Sequence, residues 1–124
     1  MDVSVRFRNV AGRVDRAAGI VARWRDANNY YVLRANAAER NVYLYVVDGG
    51  RRRAVMGRTA AVPGDRWHAL RLIATEDRFV AILDDQRLFE ARDATHAGPG
   101  LVGLWTKADS VTHFDDLAIR VGPR

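Results

Sequence analysis

The sequence predicts an all-β protein, an antiparallel β-sandwich of two sheets, from three observations. Apolar and polar residues alternate along many short segments, and this period of two is typical of a half-buried strand. Clusters of Asp, Asn, Gly and Pro separate these segments at the spacing typical of sandwiches. Hydrophobic residues make up 48% of the 124 residues and cysteine is absent, so the core must hold without disulfides.

The predicted strands follow one another with short turns between them. They cover residues 3–8, 19–24, 29–34, 41–47, 53–58, 67–73, 78–83, 86–90, 101–105 and 111–121. Asp48-Gly49-Gly50 and Asp84-Asp85 predict tight reversals, because these residues tolerate left-handed backbone. The segment 91–96 allows one short helical turn. The whole chain, residues 1–124, is predicted to be one domain.

The alternation also assigns side chains to faces. The residues expected between the sheets are Ile20, Ala22, Tyr31, Leu33, Val42, Leu44, Leu70, Leu72, Val80, Ile82, Val102 and Leu104. The residues expected to point outward are Arg23, Arg34, Tyr43, Tyr45 and Trp105. In the last strand Phe114 is in one phase and Leu117, Ile119 and Val121 are in the other, so we expect a bulge at Asp115-Asp116 that turns both sets inward.

The charge is basic but scattered. The formal net charge is +5, and Lys107 is the single lysine among twenty basic residues. The one cluster, Arg51-Arg52-Arg53, follows a turn, where charged residues are usually just solvated. We therefore expect no nucleic-acid partner and no membrane partner. The first residues alternate charge with valine, unlike a signal peptide, so the chain as written is expected in the cytoplasm.

Several segments, taken in order, resemble one superfamily. They are residues 18–23, 28–34, 64–70, 83–85, 100–105 and 114–117. Together they are similar to the concanavalin A-like lectins and glucanases, in particular to bacterial laminin-G-like and 3-keto-disaccharide-hydrolase-type domains. The resemblance implies a jelly roll in which Trp67 fills the core. Similar domains are often exported, which leaves the localisation open.

The resemblance also implies further strands before the point where this chain begins. One of them would cover the final strand, around Phe114-Asp115-Asp116. Without it, the final strand exposes unpaired N–H and C=O groups, and such edges are usually covered or paired. We therefore expect a homodimer or a strand-swapped assembly.

The outward residues predict a carbohydrate site. Sugar sites combine a flat aromatic face with planar polar groups that match neighbouring hydroxyls. The predicted ligand-binding residues are Arg23, Arg34, Tyr43, Trp105, Lys107 and His113. The resemblance places the strands of Arg23 and Arg34 side by side, so their guanidinium groups would form one patch. The predicted function is a non-catalytic, lectin-like module that binds an oligo- or polysaccharide.

Two other functions stay open. One is a structural or oligomerising sandwich without a small ligand, and the other is a sugar hydrolase of the 3-keto-disaccharide hydrolase type. No catalytic residue is predicted, because Glu90 and Asp93 are the nearest approach to the paired carboxylates that glycosidases use. No cofactor is predicted, with structural calcium at Asp84-Asp85 or Asp115-Asp116 as the alternative.

Overall fold

The structure, a computed structural model, describes residues 1–11, 17–106 and 111–121. The strands are β1 (Asp2–Ala11), β2 (Ala17–Asp26), β3 (Asn29–Asn36), β4 (Asn41–Asp48), β5 (Arg51–Thr59), β6 (Trp67–Thr75), β7 (Arg78–Leu83), β8 (Gln86–Arg92), β9 (Leu101–Thr106) and β10 (Val111–Arg120). Sheet A has the order β10-β1-β6-β7-β8, and sheet B has the order β5-β4-β3-β2-β9. All their pairs are antiparallel, so the predicted two-sheet β-sandwich is confirmed. Within the described ranges no helix is long and apolar enough to cross a membrane.

Sheet B is a meander of β2 to β5 with β9 added beside β2. The turn between β4 and β5 consists of Gly49 and Gly50, whose φ angles are +57° and +82°. Left-handed backbone at both positions matches the twist of a two-residue hairpin, and glycine adopts it without strain. Asp84 and Asp85 take the same backbone region between β7 and β8. Both predicted reversals are therefore confirmed.

The core lies between the inner faces of the two sheets. The largest fully buried side chains are those of Tyr31, Phe7, Phe79, Ile20, Leu33, Leu44, Leu70 and Leu72. Removing a side chain of this size from water contributes about 1.5–3 kcal/mol. All residues predicted to point inward from β2, β3, β4 and β6 belong to this core.

The alternation predicted the faces of strand β7 wrongly, and Leu104 of β9, also expected between the sheets, is 39% exposed. We expected Val80 and Ile82 to point inward, but Phe79 and its alternate neighbours fill the core instead. The two-residue turn after β6 places Ala74, a core residue, opposite Phe79. Because the strand is apolar on both faces, its pattern alone could not fix its phase.

Trp67 lies at the surface and not in the core, so the expectation from the resemblance is wrong. It is 39% exposed, and the guanidinium carbons of Arg6 and Arg8 lie 5.0 and 5.9 Å from its ring centroid. The pairing of β1 with β6 sets His68 opposite Phe7, which faces the core. His68 therefore takes the inward position and Trp67, next to it, the outward one.

Strand β10 carries the predicted bulge. Its pairing with β1 shifts between Asp115 and Ala118, and Asp116 has a φ of +53°. The bulge allows Phe114 to lie opposite a core residue of β1, and Ile119 does the same farther along the strand. Phe114 packs against the core, whereas Ile119 stays largely exposed.

The sandwich is open where β9 and β10 end the two sheets. Each of these strands pairs with a single neighbour among the described residues. A cleft of about 530 Å³ lies between them, and its apolar walls include Met1, Val102, Ile119 and Val121. The open edge of the final strand is therefore present, while the assembly that would cover it stays a prediction.

Candidate functional site

One row of residues crosses the outer face of sheet B from β9 to β5. Its members, in order, are Trp105, Gly19, Arg34, Tyr43 and Gly57. Each member lies directly opposite the next in the antiparallel ladder, so the row shares one face of the sheet. We call it the Arg34 row.

The two glycines leave room for the aromatic rings of the row close to the backbone of the sheet. A Cβ atom on Gly57 would lie 2.3 Å from Cδ2 of Tyr43, and one on Gly19 would lie 3.3 Å from Cε3 of Trp105. The rings therefore occupy the space above the glycines. Both aromatic residues are half-buried, so part of each ring stays open to solvent. A flat aromatic surface of this kind can pack against the C–H face of a sugar ring.

Arg34 lies at the centre of the row and is only 3% exposed. Its Nη2 donates a hydrogen bond to Oδ1 of Asn41 at 3.0 Å, and its Nη1 lies 3.5 Å from Oε2 of Glu39. Its Nε is buried and has no hydrogen-bond partner within the described part of the chain. An unused buried donor costs roughly 1–3 kcal/mol, so this nitrogen destabilises the centre of the row.

Tyr45 extends the row by one more outward position on β4. Its ring centroid is 5.8 Å from that of Tyr43, with 23° between the planes. The guanidinium carbon of Arg52 lies 4.4 Å from the Tyr45 centroid, and that of Arg34 lies 5.1 Å from it. Two cations from neighbouring strands therefore meet at one phenol ring, an arrangement stabilised by the negative face of the ring.

Three of the six predicted site residues come together in the structure. Arg34, Tyr43 and Trp105 are all members of the Arg34 row. Lys107 lies outside the described residues. His113 is exposed on β10 in sheet A, opposite Arg8, and so lies in the other sheet.

Arg23 does not lie beside Arg34 on the outer face, and this expectation is wrong. Its φ of +51° marks a bulge in β2 that turns the side chain inward. Arg23 is 7% exposed, its guanidinium carbon lies 5.0 Å from the ring of Phe79, and its Nη1 donates to the His96 carbonyl at 3.2 Å. Burial lowers the pKa of this guanidinium. Gly19 takes the place opposite Arg34 instead.

A buried polar cluster holds the segment after β8 against sheet B. The Tyr31 hydroxyl donates to Oδ1 of Asp93 at 2.6 Å and accepts a hydrogen bond from the backbone N–H of His96 at 3.2 Å. Nε2 of His96 lies 2.7 Å from the carbonyl of Val47. The predicted helical turn over 91–96 is absent, because β8 continues to Arg92 and the next residues form bends tied down by these bonds.

The same cluster shifts two pKa values in opposite directions. Burial, followed by the hydrogen bond to Asp93, raises the pKa of Tyr31 to about 12. Burial also opposes ionisation of Asp93, but hydrogen bonds from Tyr31, Thr95 and Arg53 outweigh it and hold the pKa of this carboxyl at about 2. Asp93 is therefore a permanent anion at neutral pH that stabilises the cluster.

Most of the carboxylates considered for catalysis or calcium are engaged in contacts, with Asp85 left exposed at its turn. Glu90 accepts hydrogen bonds from Arg78 and Arg87, and Asp93 is held by the cluster just described. Asp84 accepts the Ala69 N–H on one oxygen, and its other oxygen lies 2.7 Å from Nδ1 of His68. The backbone N–H of Asp116 donates to the side chain of Asp115. In the described ranges no three His, Asp or Glu side chains converge as a metal site would require.

The sequence interpretation missed the two glycines and Arg52. The turn at Gly49-Gly50 predicts that β4 and β5 pair, but it does not predict the register shift between Leu44 and Tyr45. That shift brings Gly57, and not its neighbour, opposite Tyr43. The sequence predicts Arg52 to be a solvated residue after a turn. In the structure its alternation with Arg51 places it on the outer face beside Tyr45.

Comparison with known proteins supports the fold. No protein-family model matches the chain, and no curated protein sequence is similar to it. Among solved structures, the chain is similar to carbohydrate binding module CBM66 from Bacillus subtilis, with a TM-score of 0.81, 22% identity and coverage of 94% of this chain and 71% of that chain. It is also similar to a doubly substituted variant of human galectin-16, with a TM-score of 0.70, 8% identity and coverage of 98% of this chain and 87% of that chain.

A third similar structure is the Caenorhabditis elegans galectin LEC-6, with a TM-score of 0.67, 11% identity and coverage of 95% of this chain and 81% of that chain. These identities are low, so the likeness concerns the arrangement of strands. The chain has the jelly-roll β-sandwich fold that carbohydrate-binding modules and galectins share.

Proposed function

We propose that this chain is a non-catalytic, lectin-like module that binds an oligo- or polysaccharide across the Arg34 row. The observation that carries the proposal is the register of sheet B, which lines up Trp105, Arg34 and Tyr43 with a glycine beside each aromatic ring. The jelly-roll fold of carbohydrate-binding modules and galectins supports it.

The chemistry of the row suits a sugar. A pyranose or furanose ring presents an apolar C–H face and a set of hydroxyls around its edge. The ring of Tyr43 and that of Trp105 lie on either side of Arg34, so a sugar stacked on one of them would bring its hydroxyls toward the guanidinium and Asn41.

The first test follows tryptophan fluorescence during titration with a panel of oligosaccharides. One sugar class should shift the emission of the unmodified protein and equally that of Trp67→Phe, because the indole removed there lies on sheet A. Trp105→Phe should lose the shift. If no sugar changes the emission, or if Trp105→Phe responds like the unmodified protein, the proposed site is wrong.

The second candidate function is assembly through the open edge. Ile119 and Val121 are exposed in the wall of the cleft between β9 and β10, and a second copy of the chain would cover them. Light scattering would then give a dimer mass that Ile119→Arg reduces to a monomer mass. A monomer mass at every concentration would contradict this candidate.

A hydrolase of the 3-keto-disaccharide type remains the alternative that the sequence resemblance implies. Incubation of the protein with any oligosaccharide that binds would distinguish it, because a hydrolase releases reducing sugar and a binding module leaves the ligand intact.

A further inference from the structure

We propose that the ligand of the Arg34 row is acidic: an oligosaccharide that bears carboxylate or sulfate groups, bound at the exposed guanidinium of Arg52 that packs on Tyr45. This inference rests on the proposed function and adds the charge of the ligand. It follows from the hydrogen-bonding groups that the row offers and from the position of Arg52.

The polar groups at the centre of the row are mainly donors. Arginine has five N–H donors and no acceptor. The Oδ1 of Asn41 already accepts from Arg34, and the guanidinium of Arg34 is buried, so the donors open to a ligand are those of the exposed Arg52. A neutral sugar hydroxyl both donates and accepts, and needs a mixed set of partners. A carboxylate or sulfate only accepts, so it matches a donor-rich surface better.

Arg52 is placed to receive such a group. Its guanidinium packs on the ring of Tyr45 at 4.4 Å, and its side chain is exposed with no acceptor within hydrogen-bonding distance in the described ranges. The ring limits the orientations of the planar guanidinium, so less rotational freedom is lost when an anion binds. A guanidinium can offer two parallel N–H groups to a carboxylate or sulfate, and that of Arg52 is exposed to solvent.

The charges around the row also favour an anionic ligand. Glu39 is the one carboxylate that contacts Arg34 or Arg52 among the described residues, at 3.5 Å from Nη1 of Arg34. It also accepts a hydrogen bond from Asn36 at 2.9 Å, which holds it beside the end of β3. The guanidinium of Arg52 is therefore left without a neutralising partner there, and the net charge of +5 favours the approach of an anion.

The experiment compares matched pairs of saccharides by calorimetry. Oligogalacturonate and its methyl ester share one sugar ring and differ in the carboxylate, while dextran sulfate and dextran differ in the sulfate. We expect the acidic member of at least one pair to bind at least tenfold more tightly than its neutral partner. Arg52→Gln should weaken that binding roughly tenfold, the loss of one charge-assisted hydrogen-bonded contact. Which pair responds identifies the acidic group.

Arg51→Gln is the matched control. It removes the same charge from the adjacent position of β5, where alternation points the side chain away from Tyr45. Its affinity for the acidic saccharide should stay within about twofold of the unmodified protein, because an exposed charge off the contact surface contributes only through screened attraction. Equal losses in the two variants would mean that charge alone attracts the ligand, and would overturn the assignment to Arg52.

The remaining outcomes distinguish a failure of the acidic-ligand inference from a failure of the proposed saccharide site. Equal affinity for the acidic and neutral members overturns the acidic ligand and leaves the sugar site standing. No binding of any saccharide overturns both. Binding of a single-stranded oligonucleotide that Arg52→Gln abolishes, without binding of a saccharide, would assign the row to a phosphate polymer and overturn the inference.

Discussion

The ring of Tyr43 lies across the backbone of Gly57, so close that a β-carbon on Gly57 would be 2.3 Å from two of the ring carbons. The contact depends on the shift in the β4–β5 ladder, since Tyr45 pairs with Ala54 whereas Tyr43 pairs with Gly57. The glycine thus determines how Tyr43 lies on the sheet. Any side chain at position 57 must lift the ring off the face that we propose binds sugar.

Gly57→Ala should weaken both the fold and saccharide binding. The added methyl group forces Tyr43 out of its position, at a cost of about 1–3 kcal/mol in the free energy of unfolding. Because the displaced ring would stand up from the sheet, the affinity for the saccharide should fall roughly tenfold or more. Urea denaturation measures the free energy of unfolding, and calorimetry measures the affinity for the saccharide.

Gly103→Ala is the control for this change. Gly103 lies on the same outer face, opposite Val21, and a Cβ atom there would meet its nearest neighbour at 4.0 Å. The methyl group fits, so stability and affinity should both stay near those of the unmodified protein. If both glycine variants lose binding alike, the position of Tyr43 over Gly57 is not what matters.

The sequence predicted the fold well because strand period and turn chemistry are local signals. Ile20, Leu33 and Leu44 face the core as their alternation predicts, and the glycine turn set the β4–β5 hairpin. The site was harder to predict. The alternating pattern predicts Arg23 to point outward, because the pattern does not reveal the bulge that turns it inward. The proximity of Arg52 to Tyr45 depends on the register between β4 and β5, which the sequence pattern does not fix.

Trp67→Ala should be a mild substitution, in contrast to what its size suggests. The side chain is partly exposed and packs under Arg6 and Arg8 on the outer face of sheet A. Losing cation–π contacts at an exposed site costs about 1 kcal/mol. Phe7→Ala, which empties a fully buried site opposite His68, should cost about 3–5 kcal/mol. Thermal unfolding of the two variants side by side would reveal the difference, and equal losses would place Trp67 in the core after all.

The Asp93 cluster should make the fold lose stability in acid. The pKa of Asp93 is about 2 in the folded chain and 3.8 without the fold. Because the folded value is the lower one, the stabilisation is fully present above pH 3.8 and is lost as the pH falls toward 2. Its size is on the order of 2 kcal/mol, since Asp93 is 8% exposed and little screened by solvent.

Asp93→Asn tests this pH dependence. The variant should be less stable than the unmodified protein at pH 6 by about that amount, and the two should converge near pH 2, as measured by urea denaturation at both pH values. Asp85→Asn, an exposed turn residue with a positive φ that Asn tolerates, should change little at either pH. A constant difference between pH 6 and pH 2 would show that the carboxylate charge is not the cause.

Arg23 and Arg34 offer the sharpest comparison in the chain, because both are buried and only one lies on the proposed binding face. Arg23→Met removes a hydrogen bond to the His96 carbonyl, and Arg34→Met removes one to Asn41. Each should lower the free energy of unfolding by about 1–3 kcal/mol. Only Arg34→Met should also lower saccharide affinity, roughly tenfold, when both variants are measured by calorimetry well below their melting temperatures. If Arg23→Met loses binding instead, the ligand lies at the cleft between β9 and β10, which Arg23 lines, and not on sheet B.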